Sequence, residues 1–181
     1  DPWRDMPAGA DAIAEGWLVV ATDYQTDGNG IHPFLIGEGE GRSTLDAVRA
    51  LRQMPGLLVD NRTIVWGHSQ GGHAALWTSM IAPTYAPDVT LKGVVALSPV
   101  TTLVSLLDRQ SESLVAPLLG SWVAAAYSAY YPDVVYDTIV SSAALVLGRD
   151  LAIRCPPEPL DGVAIALMLG ELGNEPLLNV P

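Results

Sequence analysis

The chain has 181 residues, 49% of them hydrophobic and 16% charged, enough apolar material for a single domain with a real core. Its net charge is −11, and its nine basic residues form no cluster that could follow phosphates. Nucleic-acid binding and charge-driven docking on anionic membrane are thereby excluded.

A helix is expected over residues 8–15, closed by Gly16. Residues 17–21 (Trp17-Leu18-Val19-Val20-Ala21) form a near-continuous apolar run, the pattern of a strand buried on both faces. Residues 23–41 read as a long loop rich in Gly, Asp and Asn, without the Lys-Ser/Thr of a phosphate loop. Asp23 and Tyr24 open it just past the strand end, where ligands gather in parallel sheets. They are candidates for the wall of a substrate pocket, or else anchor the loop.

A clear amphipathic helix follows over 43–54, with Leu45, Val48 and Leu51 on one side and Asp46, Arg49 and Gln53 on another. Ser43, three residues before Asp46, resembles a capping box, and Pro55-Gly56 stops the helix. Strands are expected at 63–66 and 93–97, with a helix at 72–82 and a loop marked by Pro83 and Pro87 between them. Repeated strand–helix–strand units imply an α/β fold with a parallel sheet and helices on both faces. After Pro99 the texture turns helical, with segments at 103–107, 114–131, 138–151 and 160–172 and a break at Pro156-Pro157-Glu158-Pro159. The division expected is a sheet core over 1–99 and a helical lid over 100–181.

Gly67-His68-Ser69-Gln70-Gly71 sits between the 63–66 strand and the 72–82 helix. A Gly-x-Ser-x-Gly at a strand-to-helix junction is the pattern of a nucleophile elbow. The turn is tight enough to demand small residues at Gly67 and Gly71, and it lifts the Ser69 hydroxyl clear of the sheet. Ser69 is the candidate catalytic nucleophile, and the backbone N–H of Gln70 the donor to a developing oxyanion. Gly72 fits close packing of helix on strand.

A serine needs a base, and the usual order in this architecture is Ser, Asp or Glu, then His. The chain has only His32, His68 and His73. His68 is adjacent to Ser69 on a tight turn, points away from the hydroxyl, and is at most a pocket residue. His73 reads as a hydrogen-bonded structural histidine, and His32 as a loop anchor. Asp108, Asp133, Asp137, Asp150 and Asp161 all lie in the helical region, so none is a convincing triad acid. Three histidines with no i,i+4 pair and the lone Cys155 make no metal site, and no cofactor is implied. No apolar run approaches the roughly 20 residues that span a bilayer. With few strands and no base, the sheet is expected to be incomplete and the chain a piece of a longer one, the triad Asp and His lying outside it.

The segments at 17–24, His32-Pro33-Phe34-Leu35, Gly41-Arg42-Ser43, 45–50 and 67–76 together resemble the secretory lipase family, α/β-hydrolases of the Candida antarctica lipase A type. The likeness runs from about residue 10 to Pro99; the remainder resembles the family's helical lid in texture and position. It implies an α/β-hydrolase fold, a secreted serine ester hydrolase acting on lipid or other acyl esters, Ser69 as nucleophile, and a lid over the site. The alternatives are a non-catalytic lipid-binding or scaffold relative, or acyltransferase or peptidase chemistry on the same fold. Oligomeric state is not legible.

Overall fold

A computed structural model of the chain describes residues 6–105, 116–153, 170 and 178–179. The chain divides into two compact units, one of residues 1–25 and 37–101, the other of residues 26–36 and 102–181.

In the first unit the elements run α1 (Gly9–Ala14), α2 (Gly37–Arg52), β1 (Arg62–His68), α3 (Gln70–Tyr85) and β2 (Thr90–Leu97). Strands β1 and β2 are parallel neighbours, with Val65 beside Val94 and His68 beside Leu97. The crossover between them is α3, which is apolar around most of its circumference and packs against both strands. Leu45 of α2, Ala82 and Ala86 at the end of α3, and Val89 form a buried cluster, flanked by Val48, Ile81 and Leu91. Outside it, the Arg49 guanidinium donates to Asp88, Asp46 and the Tyr85 carbonyl, and the Tyr85 hydroxyl donates to Asp46. An arginine thus satisfies a carbonyl at the C-terminus of α3. The hydrogen bond from Arg49 also holds the Asp88 carboxyl below the usual carboxylate range.

The fold is of the α/β-hydrolase type, and its sheet is incomplete. Among the described residues only β1 and β2 are paired strands outside an isolated bridge. Residues 17–21, expected as a strand, make no ladder, and Trp17, Leu18 and Val20 remain 46%, 48% and 41% exposed. A strand exists through the hydrogen bonds of its neighbour, and here a cavity of about 210 Å³ lies between this segment and β1. Nor are both sheet faces covered. Val95 and Leu97 share a face by alternation and stay 49% and 39% exposed.

Helix α2 starts at Gly37 rather than Ser43. Ser43 is therefore internal, with its hydroxyl accepting the Gln25 N–H instead of capping. Helix α3 runs through Pro83 instead of ending before it. Proline there removes one N–H in the last turn, and burial of Ala82 and Ala86 against Leu45 outweighs that loss.

In the second unit, α4 (Ala116–Tyr130), α5 (Tyr136–Ile139) and α6 (Leu145–Ala152) enclose Leu118, Ala124, Val140, Ala144 and Leu151. Phe34 packs edge-on against Trp122, whose indole N–H donates to the Leu151 carbonyl. The single helix expected over 138–151 is broken, because Val140 forms an antiparallel bridge with Leu178. Asn179 secures the break, its backbone N–H donating to the Ile139 carbonyl and its side chain to that of Val140. Most of the helix expected at 160–172 lies outside the described residues, as do Cys155, Asp108 and Asp161, while residues 103–105 of the helix expected at 103–107 are helical.

Leu45 has no exposed surface, whereas Leu58 is fully exposed. Leu45→Ala is expected to destabilise the protein by about 2–5 kcal/mol in urea unfolding, while Leu58→Ala stays within about 0.5 kcal/mol. Equal losses would show that the α2–α3 cluster is not the core.

Candidate active site

Ser69 joins the end of β1 directly to the start of α3, with φ 55° and ψ −113°. Positive φ is rare for a residue with a side chain and costs about 1–3 kcal/mol. The turn is held from several directions. The Ser69 N–H donates to the Leu97 carbonyl at 2.9 Å, tying the turn to the end of β2, and its carbonyl accepts the His73 N–H at 3.0 Å.

The glycines of the motif divide the steric load differently from the sequence expectation. A Cβ at Gly67 would lie 2.4 Å from the Gly71 backbone, and one at Gly72 would lie 2.9 Å from the Leu97 carbonyl oxygen. A Cβ at Gly71 would meet nothing within 4 Å. Gly67 and Gly72 are thus sterically required, and Gly71 is the backbone against which Gly67 rests.

Serine is a favoured helix N-cap because its hydroxyl accepts a first-turn N–H. Ser69 stands at the N-cap of α3 but makes no such bond. Its hydroxyl is left exposed at the head of the helix, beside the first-turn N–H groups that have no intrahelical acceptor. Such a terminus carries partial positive charge and suits an oxyanion.

Beneath the turn lies a cluster that the sequence did not disclose. Glu40 of α2 has no exposed surface. Its two carboxylate oxygens are engaged separately: Oε1 accepts from Gln70 Nε2 at 2.8 Å, and Oε2 meets His73 Nδ1 at 2.6 Å. Burial first, and then the charge of Glu40, pushes the Tyr24 phenol well above its ordinary range. Glu40 fell in a segment read as loop, so nothing in its spacing marked it as buried.

His73, as expected, is a hydrogen-bonded histidine. His68 ends β1 with an exposed side chain, and Asp23 is exposed. Tyr24 lines the cavity beside β1, whose border includes Gly71 but not Ser69, His68 or Asp23. That cavity therefore lies behind the elbow rather than over the hydroxyl. His32 belongs to the second unit, where its carbonyl accepts the Phe34 N–H. Among the described residues no side chain hydrogen-bonds the Ser69 hydroxyl, and no group of His, Cys, Asp and Glu could hold a metal. Asp137, in the helical unit, is ion-paired with Arg149 at 2.8 Å.

A family model described as Secretory lipase matches residues 5–150. The chain belongs to the secretory lipase family. A trichothecene C-3 esterase of Fusarium sporotrichioides is 33% identical over 134 residues, 68% of this chain and 28% of that protein. A Mycobacterium tuberculosis protein named "Probable inactive lipase MT1628" is 33% identical over 125 residues, 66% of this chain and 26% of that one. Among solved structures, the closed state of Candida antarctica lipase A aligns with a TM-score of 0.58 at 19% identity. That alignment covers 80% of this chain and 36% of the lipase, a likeness of fold. The chain thus spans about a quarter of the length of these two curated relatives.

The elbow geometry orders the effects of adding a methyl group. Gly67→Ala is expected to lower the denaturation midpoint, whereas Gly71→Ala leaves it unchanged or raises it. At Gly71 alanine adds helix propensity worth about 1 kcal/mol and meets open space. Equal losses at the two positions would contradict the contact between Gly67 and the Gly71 backbone.

Proposed function

We propose that the chain is the elbow-bearing part of a secreted serine ester hydrolase, with Ser69 as the nucleophile. The observation that carries this reading is the Ser69 backbone, strained to positive φ at a strand-to-helix junction with its hydroxyl not used as a cap. Membership of a family of lipases and esterases supports carboxylic esters, of lipids or other acyl compounds, as the substrate class. Secretion rests on the family's description.

In the reaction proposed, Ser69 Oγ attacks the ester carbonyl carbon while a base takes the hydroxyl proton. The carbonyl oxygen becomes an oxyanion facing the Gln70 N–H. Collapse breaks the bond to the alcohol oxygen; the alcohol leaves carrying that proton, and the acyl group stays bonded to Ser69 Oγ. Water then repeats the sequence to release the acid. The base and its orienting carboxylate come from chain beyond these residues in this reading. Asp23, Tyr24 and His68 are proposed as pocket-wall residues, and the helices after residue 100 as a lid.

A second reading has a specific observation behind it. The Mycobacterium tuberculosis relative carries the name "Probable inactive lipase MT1628", and a chain that kept the elbow without a base would bind lipid but not turn it over. Treating the full-length gene product with a fluorophosphonate probe separates the two. Covalent labelling at Ser69 and ester turnover are expected, with both lost in Ser69→Ala, turnover by a factor of at least about 10³. An unlabelled, folded full-length protein would establish the non-catalytic reading instead.

A further inference from the structure

The oxyanion donor proposed above stands at a mechanically weak place. Gln70 is the first residue of α3, and Gly71 and Gly72 follow it. Helix ends fray, and each glycine gives the first turn more conformational freedom than any other residue would. Gly72 cannot be exchanged for something stiffer, because the Leu97 carbonyl occupies the space a Cβ would need. A turn that must present an N–H in a fixed direction is therefore built from the most flexible residues available. Something outside the helix has to hold it.

Glu40 lies where such a support is needed. One carboxylate oxygen takes the Gln70 side chain, on one side of the Gly71-Gly72 pair, and the other takes the His73 ring, on the opposite side. Both bonds are short, at 2.8 and 2.6 Å, and the carboxylate is completely buried. Hydrogen bonds to a charged acceptor in low dielectric are among the strongest a protein makes. Glu40 is itself set firmly. Gly37 and Gly41, on either side of it in α2, let that helix close on α3. A Cβ at Gly37 would overlap the Trp77 indole at 2.1 Å, and one at Gly41 would lie 3.1 Å from the Thr78 backbone nitrogen.

We propose that Glu40 is a positioning residue for catalysis: it brackets the Gly71-Gly72 turn through Gln70 and His73 and so fixes the Gln70 N–H against the developing oxyanion. The proposal rests on the reading of Ser69 as nucleophile. Glu40 touches neither substrate nor Ser69 in this role. Its effect falls on the transition state, because the oxyanion forms only there.

The test compares Glu40→Ala and Glu40→Gln in the full-length gene product, with active sites counted by fluorophosphonate labelling. Removing the bracket is expected to lower kcat per labelled site by about 10- to 100-fold, the range for a misplaced or lost oxyanion donor, with KM changed less than about twofold. Glutamine can restore both bonds, accepting from Gln70 at its oxygen and donating to His73 in the other tautomer. Glu40→Gln is therefore expected to recover most of the lost kcat. Wild-type turnover per labelled site in Glu40→Ala, whatever its thermal stability, would reduce Glu40 to a structural residue. A stable Glu40→Gln as slow as the alanine variant would overturn the bracket in favour of a charge effect. Should Glu40→Ala fail to fold, Gln70→Ala removes one arm of the bracket. An unchanged kcat there overturns the proposal, and a fall of about tenfold supports it. An unlabelled wild-type protein would refute the nucleophile reading itself, and the positioning role with it.

Discussion

The close approach of α2 to α3 is the constraint on which the first unit depends. Two glycines on α2 remove the side chains that would keep the helices apart, and the Trp77 ring and the Thr78 backbone take up the space. That approach carries Glu40 out of water entirely. A buried carboxylate without partners is costly enough to unfold a small domain, so its partners are as much a condition of folding as the apolar cluster around Leu45. Gln70 and His73, which hold its two oxygens, lie in the first turn of α3. The requirement to satisfy one buried charge thereby becomes a restraint on the segment that carries Ser69.

The elbow is held by three kinds of force. Steric exclusion between Gly67 and the Gly71 backbone, and between Gly72 and the Leu97 carbonyl, sets how closely strand and helix meet. Backbone hydrogen bonds from Ser69 to Leu97 and from His73 to Ser69 set the direction of the turn. The side-chain bonds to Glu40 hold the helix start in place. Strain at Ser69 persists because these restraints over-determine its backbone. A serine freed from capping duty, next to unpaired helix N–H groups, is the arrangement that the proposed acyl transfer requires.

The apolar surface that stays uncovered has the same origin as the missing strand pairing. Trp17, Leu18 and Val20 carry a buried strand's composition without a strand's hydrogen bonds, and Val95 and Leu97 face outward from the sheet. Among the described residues the sheet has two strands, too little width to cover what its residues are suited to bury. The helical unit closes its own core around Leu118, Val140 and Leu151.

Local pattern was sufficient to find α1, β1, β2, the body of α3 and the long helix α4, because each has a period or an apolar run that few other conformations accommodate. It was sufficient for the turn at Ser69 as well, since Gly-x-Ser-x-Gly between strand and helix encodes that turn in consecutive residues. Wherever an element's fate depended on a distant partner, the sequence alone was insufficient. Residues 17–21 have the composition of a strand but pair with no strand among the described residues, and 138–151 has helical periodicity but yields to the bridge from Leu178. The glycines at 37 and 41 look like loop residues until α3 is seen packed against them, and Glu40 among them looks like a solvated acid. Short-range sterics and periodicity were thus written in the chain itself. The burial of Glu40 and its grip on Gln70 and His73 were decided by tertiary structure, because they depend on how closely two helices can approach.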